Sequence, residues 1–596
     1  MVKYTSLLLL INLFYTSNSY PEEFGEKIYQ DSCANCHENE LLRAPNFAAL
    51  KLIGKEGLLN SLTKGSMQEV GNTLKEEELI AVINFLSPTE KNNSRSSTDQ
   101  NFCEYTQKNN RESLWNGWGN DKNNSRFQKK TSITKENVNK LNLSWAFGFE
   151  DSVRVRSQPL ITSDTIYIGT QSGKVYALSL SDGCIFWSFR AKAEVRGAVL
   201  LSEDKKSIFF SDFEANIYRL DAITGKEIWI KNISDHHAAT ITGSMAIYNG
   251  NLFIPLSSTE IINAIDPNYE CCTFRGGVIA LDSDEGNLLW RMYTVPEPKK
   301  TIKNSKGTEM WGPSGAPVWS TPTIDTKRQL LYIGVGQNYS HPANDLSDAV
   351  LAVKLSSGEI VWHYQTIKED VWNAACVTNK VNCPGQYGPD MDIGASVILV
   401  NHKDGNDVLL VGQKSGMVYA LDPESAGAVL WKKRIGRGGK KGGIHWGMTA
   451  DTENLYVPIA DIPEKINIEH PPQPGIHSVT IKDGQKKWYK PAPPICLSEE
   501  FKCYASYSAA ASSAEDMVIV GSMNGTIEII SSYDGELLWS YNTAKEFQTI
   551  NNTPANGGSI DSDGPILAGK HLVVTSGYDI YGQITGNVLL VFSSEE

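Results

Sequence analysis

Histidine is scarce in this chain, 10 in 596 residues, and His37 is the only one before residue 236. That excludes a zinc site built from several histidines near the front. Methionine is thin as well: Met67 is the only one between residue 37 and Met245. Positive charge does not predominate. A formal net charge of -13 and a pI near 5.4 exclude nucleic acid or an anionic membrane surface as the natural partner. Long hydrophobic runs are missing too. The run from Leu7 to Phe14 is too short to span a bilayer stably, and no later segment is apolar enough for a membrane helix. In "MVKYTSLLLLINLFYTSNSY" it reads instead as the centre of a secretory signal, residues 1–19, cut after Ser19, which implies a periplasmic protein.

What is present starts with "DSCANCHENE", residues 31–40. Two cysteines two residues apart, followed by a histidine, form the attachment site of a c-type haem. Cys33 and Cys36 are the thiols that bond the porphyrin, and His37 is the iron ligand. Met67, after a Gly-Ser loop, is the other axial candidate, because a neutral thioether raises the potential. An amphipathic helix is predicted from Leu74 to Leu86, with Leu79, Val82, Ile83 and Leu86 on one face. Residues 20–88 as a whole, with Pro45 in "RAPNF", resemble a small all-α class I cytochrome c. Residues 89–109 are polar and unpatterned at their start and read as a linker.

Eight cysteines remain, an even number that suits an oxidising compartment. Cys376 with Cys383 and Cys496 with Cys503 would close short loops, leaving Cys103 for Cys184. Cys271 and Cys272 are adjacent. Sequence alone leaves this connectivity open.

Beyond the linker the chain repeats itself. "GKVYALSLSDGCIFW", "ANIYRLDAITGKEIW", "GGVIALDSDEGNLLW" and four further copies each show an alternating strand, a Gly turn and a second strand ending near Trp. Period-two patterning with short Gly turns makes them hairpins. With the strands between copies, each unit holds about four, the content of a propeller blade. Seven hairpins are complete. "GNVLLVF" near the C-terminus lacks its Trp strand, and "LNLSWAF" (141–147) lacks its hairpin partner. Joining the two predicts an eight-bladed β-propeller over residues 110–596, closed through both ends of the chain.

The repeated "YALD…TG…W" resembles the pyrroloquinoline quinone (PQQ) alcohol dehydrogenases. Within them "SLWNGWGNDKNNSRFQ", "WSTPTID", "GPDMDIGAS" and "GQKSGMVYALD" resemble the polyvinyl alcohol dehydrogenase branch, which also pairs the propeller with cytochrome c. The resemblance implies PQQ and Ca²⁺ as cofactors, with a lanthanide as the alternative metal. It implies Trp319 as the stacking floor, Lys414 at the quinone oxygens, Arg196 on a carboxylate, Thr242 and Ser257 as hydroxyl donors, and Trp446 in the same pocket. It implies Glu260 as a metal carboxylate and an amide ligand at Gln337 or Asn338.

Many relatives carry an aspartate directly after a tryptophan as catalytic base. Here that position is Asn373 in "DVWNAAC", and an amide has no basic lone pair. The Asp-x-Asp of "PDMDIGAS" supplies the expected base, Asp390, with Asp392 as a supporting or additional metal carboxylate; Asp390 also counts among the metal-site candidates. The reading is a PQQ-dependent oxidation of a secondary alcohol, with haem c draining electrons to a downstream acceptor such as a soluble cytochrome. The alternatives are a non-enzymatic propeller scaffold carrying a cytochrome, and a haem reductase with a second tetrapyrrole held by a propeller histidine.

Overall fold

The computed structural model describes residues 22–38, 44, 47–52, 55–63, 67–87, 101–107, 111–401, 406–463, 470–494, 503–580 and 582–594. The expected signal (1–19), Pro45, Cys496 and most of the linker lie outside the described residues. From residue 111 onward the chain forms eight sheets set around an axis, each with four antiparallel blade strands and three of them with a fifth strand added. Blade 1 is built from Leu160–Thr162, Thr165–Gly169, Lys174–Ser179 and Ile185–Arg190, and blades 2 to 7 follow in chain order. In blade 8 the order is Ile566–Ala568, His571–Ser576, Val588–Ser594 and then Leu141–Gly148 from the other end of the chain. Phe147 pairs with Leu589 and Trp145 with Val591. The ring is therefore closed by hydrogen bonds between its two ends, which leaves no open sheet edge between blades.

The repeat has a packing cause. Seven of the eight outer-strand tryptophans lie over the turn glycine of the next blade; Trp539 instead meets Phe592 of blade 8. A Cβ at Gly225 would sit 2.6 Å from the Trp187 ring, and one at Gly358 2.6 Å from Trp290. The same contact recurs from Trp145 on Gly183 to Trp488 on Gly535. These glycines also have positive φ, 66° at Gly225 and 72° at Gly358, a region that L side chains avoid. The indole N–H then bonds the neighbouring blade: Trp187 Nε1 donates to Ala222 O at 3.2 Å and Trp290 Nε1 to Leu355 O at 2.9 Å. Turn, glycine and tryptophan are thus one inter-blade joint.

The "WNGWGNDKNNSRFQ" segment plugs the channel. It bonds six blades in turn, through Leu201 N to Asn116 Oδ1, Ile324 N to Lys122 O, Leu399 N to Asn123 O, Ala450 N to Ser125 O, Ser513 N to Arg126 O, and Gln128 Nε2 to Leu567 O. Arg126 is fully buried and donates to the carbonyls of Trp118, Ala511 and Asp563.

The front segment is helical, with helices at Glu22–Ser32, Ala34–His37, Phe47–Leu52, Lys55–Thr63, Gln68–Thr73 and Glu76–Leu86. The last begins two residues later than the apolar pattern suggested, because Glu78 turns back to accept the Lys75 N–H at 2.8 Å. It crosses the first helix closely: a Cβ on Gly25 would lie 2.4 Å from Ala81 O. Residues 101–107, expected within the linker, are fixed to blade 1. Cys103 is bonded to Cys184, and Cys103 N–H donates to Ile185 O. Cys271–Cys272 and Cys376–Cys383 are also disulfides, and Cys503 is disulfide-bonded. Cys33 and Cys36 are free thiols.

Candidate active site

Four residues before the first strand of blades 1 to 5 stand Arg156, Arg196, Thr242, Trp319 and Gly394, ahead of Leu160, Leu200, Ala246, Thr323 and Ile398. Trp446 precedes Thr449–Ala450 in blade 6. These positions share one level of the channel because neighbouring blades are laced together there. Ser157 Oγ donates to Gly197 O at 2.9 Å, Ala198 N to Ser244 Oγ at 2.8 Å, and Thr321 N to Ser396 Oγ at 3.0 Å. Trp319 and Trp446 meet edge to face at 5.4 Å, with Trp118 of the plug in the same cluster. The Arg196 guanidinium stands 5.1 Å from the Trp446 ring. A Cβ on Gly394 would lie 1.9 Å from the Trp319 ring, so only glycine lets the blade 5 backbone pack this close to the indole.

Lys414 Nζ stands 5.4 Å from the Trp319 ring centroid. It bridges Asp390 Oδ1 at 3.0 Å and Asp392 Oδ2 at 2.6 Å, with all three side chains buried. Asp392 Oδ1 accepts the Gln337 N–H at 2.9 Å. Sequence reasoning missed two further carboxylates behind this trio. Asp370 accepts the main-chain N–H groups of Asp390 at 3.2 Å and Met391 at 3.0 Å. Burial pushes its carboxyl up to about 6. Asp348 is wholly buried, neither of its oxygens has a hydrogen-bond partner, and burial holds its carboxyl far above the ordinary range. Asp390 and Asp392 share the one ammonium, and Asp348 and Asp370 behind them are pushed toward their neutral forms by burial, so carboxyl oxygens outnumber cations where water is scarce. Such a hard-oxygen set fits a multivalent cation.

Gln337 and Asn338 are distinguished by their partners. Asn338 Nδ2 donates to Ser314 O and its Oδ1 accepts Asn344 N–H. Gln337 Nε2 is buried and unbonded. Glu260 opens the short helix Glu260–Asn263 and is fully buried, which raises its pKa. Its oxygens accept Thr273 N–H at 2.7 Å, Phe274 N–H at 2.8 Å and the Tyr269 hydroxyl at 2.9 Å. Among the described residues, no three His, Cys, Asp or Glu side chains are grouped so as to hold a metal by themselves. Ser257 is buried and pairs with Thr240; Thr242 is half-buried. Asn373 caps Ala374–Val377, and its Nδ2 donates to Tyr339 O and Asn382 O. Its amide holds the Cys376–Cys383 loop in place. The vicinal pair Cys271–Cys272 is fully buried in a cluster with Met310, Phe274 and Tyr339.

Arg156 is the other residue that sequence reasoning passed over. Its Nε donates to Glu194 Oε1 at 2.7 Å, and Arg154 Nη2 binds the other oxygen at 2.7 Å. Glu194 is held well below the usual carboxylate range by these two guanidiniums, against the opposing effect of burial. Among the described residues, the terminal nitrogens of Arg156 make no bond.

In the front segment Cys33 and His37 are buried, and Cys33 shares a core with Leu58, Leu62, Val82 and Leu86, against which Met67 packs. Burial pushes the Cys33 thiol up to about 11. Two free thiols followed by a histidine, with Met67 packed against the core that holds Cys33, are the groups a covalently held haem would use. Val153 of the propeller belongs to the same core, and Cys36 packs against the propeller cluster of Ile265, Trp372, Ala374 and Cys376. The haem-attachment segment therefore rests on the propeller.

A channel ringed by cations and indoles, with a lysine bridging two aspartates, defines a quinone-dependent dehydrogenase propeller. The chain belongs to the PQQ-dependent alcohol dehydrogenase family and is an oxidoreductase: residues 115–434 match the family described as the glucose/ethanol/alcohol dehydrogenase β-propeller domain. A shorter stretch, 347–580, matches the family of outer membrane protein assembly factor BamB. The chain is 37% identical over 497 residues to polyvinylalcohol dehydrogenase of Pseudomonas sp, covering 80% of this chain and 76% of that one. It is 32% identical over 609 residues to polyvinylalcohol dehydrogenase of Sphingopyxis sp. (strain 113P3), covering 96% and 92%. In fold it is similar to quinohemoprotein alcohol dehydrogenase ADHIIG of Pseudomonas putida HK5, with a TM-score of 0.60, 19% identity and coverage of 81% and 80%. The europium-containing methanol dehydrogenase superposes with a TM-score of 0.57 at 17% identity, covering 80% and 98%. Family membership brings PQQ, a metal ion that is calcium or a lanthanide, an alcohol substrate and an electron acceptor.

Proposed function

We propose that this protein oxidises a secondary alcohol of the polyvinyl alcohol kind in the periplasm and passes the electrons to haem c held by Cys33 and Cys36. The observation that carries the reading is Lys414 bridging Asp390 and Asp392 beside the Trp319 ring. PQQ, when bound, supplies a two-electron acceptor for the alcohol's hydride, and the metal supplies charge that polarises its carbonyl. Everything else is the work of the chain. Trp319 and Trp446 wall the cofactor space and exclude water. Arg196 and Arg156 offer guanidinium forks to its carboxylates, and Thr242 and Ser257 offer hydroxyls. Asp392, Gln337 and Glu260 would hold the metal. Asp390 takes the hydroxyl proton as the alcohol is oxidised. Lys414 favours the ionised form of Asp390, and Asp370 fixes the main chain that carries it. His37 and Met67 ligate the haem iron, and a soluble acceptor takes the electrons onward. The domain limits proposed are 20–88 for the cytochrome and 110–596 for the propeller, with residues 101–107 already docked.

The test is dye-linked alcohol oxidation by the purified chain. Activity with a secondary alcohol should need PQQ and Ca²⁺ together and vanish in chelator. No dye reduction under any loading would leave a scaffold instead. Restoration by a lanthanide alone would assign the trivalent ion.

A further inference from the structure

Trp372 is tied to both halves of this machine. It is 6% exposed, and among the described residues its buried Nε1 has no hydrogen-bond partner. On one side it belongs to a cluster with Ile265, Ala374 and Cys376, against which Cys36 of the haem motif packs together with Ile261 and Ile262. Cys36 is one of the two thiols that would bond the porphyrin edge. On the other side Trp372 is tied to the pocket. Its main-chain N–H donates to Asn338 O at 2.8 Å, one residue from Gln337. Two residues before it Asp370 binds the main chain of Asp390 and Met391. Lys440 Nζ stands 5.2 Å from the ring. Asn373, which follows it, pins the Cys376–Cys383 loop through Asn382 O.

Packing among Ile265, Ala374 and Cys376 gives the ring a structural errand, but its idle N–H has none; buried Trp N–H groups usually find a partner. Its position has a redox one. Electrons cross packed, bonded matter far faster than an equal gap of solvent; this ring sits in the cluster that Cys36 packs against, and its main chain is bonded to Asn338 beside the pocket. We infer that Trp372 is the relay through which electrons leave the quinone pocket for the haem. The inference rests on the PQQ and haem reading above. The balance is simple. Oxidising one alcohol to the carbonyl releases two electrons and two protons. The quinone holds both electrons, and ferric haem accepts them one at a time, becoming ferrous and being reoxidised by the acceptor between the two. The protons pass to water.

The experiment compares two rates in the PQQ- and Ca²⁺-loaded chain. One is haem reduction after mixing with alcohol, followed by its absorption bands in stopped flow. The other is turnover with a phenazine dye that takes electrons from the quinone directly. The ratio of the two isolates the relay from any loss in alcohol chemistry. Trp372→Leu should lower that ratio by about tenfold or more, a change of one decade in rate. Trp372→Phe, which keeps a ring in the gap, should stay close to the wild type. Should the Leu variant fail to accumulate, Trp372→Met, apolar, ringless and flexible enough to fill part of the gap, carries the same comparison. A wild-type ratio in the Leu or Met variant overturns the relay. So does an equal fall in the Phe variant. If the wild-type haem is never reduced by alcohol, the proposed function itself fails, and the relay with it.

Discussion

Lys414 Nζ lies 3.0 Å from Asp390 Oδ1, inside the protein and away from water. The ammonium favours the ionised carboxylate, which is the form a base needs. Asp390→Asn keeps the volume and one acceptor but removes the basic lone pair. It should lower turnover by roughly two to four orders of magnitude, the usual worth of a positioned base. The measurement is steady-state kcat with the cofactor-saturated variant. Near-normal kcat would move the role to Asp392.

Arg156 should matter to cofactor binding before any chemistry. Its fork is held by Glu194 through Nε, with the terminal nitrogens left over. Losing one charge-assisted hydrogen bond costs about 1.5–3 kcal/mol, or roughly ten- to a hundredfold in Kd. Arg156→Gln should show that loss when the cofactor-free protein is titrated with PQQ and its indole fluorescence is followed. An unchanged Kd would place Arg156 outside the site.

Met67→Ala should leave haem attached through Cys33 and Cys36 but lower its potential, because the thioether favours the reduced iron. A redox titration followed optically reads this directly. An unchanged potential and spectrum would remove Met67 from the iron.

Much of this was legible in the sequence, for stated reasons. The blade count came from a hairpin repeat whose Gly and Trp are one physical joint, so its period could not drift. The closing strand at Leu141–Gly148 was visible because an orphan Trp strand and an orphan hairpin had to complete each other. Arg196, Thr242, Trp319 and Trp446 were assigned through the resemblance, and all four stand three or four residues before the first strand of their blades. Arg156 occupies the same place in blade 1 and was missed, although its position four residues before a blade's first strand would have found it. Asp348 and Asp370 were hidden for another reason. Each looks like a polar turn residue in sequence, and only the fold folds them behind Lys414. The packing of Cys36 against the cluster that holds Cys376 joins segments some 340 residues apart, and no local pattern encodes that.

Acid should weaken the fold through His477. It is buried, stacks on Tyr489, and burial pulls its pKa down to about 4. The unfolded chain protonates near 6.5, so stability is full above that pH and falls as pH drops toward about 4. The loss amounts to about 3 kcal/mol at most. Melting temperatures at pH 7 and pH 4.5 should differ, and His477→Gln should shrink the difference. An identical pH dependence in the variant would show that other groups carry it.

The central claim is that alcohol chemistry in the propeller drives the front haem. The most direct measurement is the absorption spectrum of the purified ferric protein on adding a secondary alcohol, with PQQ and Ca²⁺ supplied singly and together. The account predicts ferrous haem bands only when both are present, with Asp390→Asn abolishing their rapid appearance. Haem reduction without PQQ, or haem that stays ferric while a phenazine dye is reduced, would contradict it.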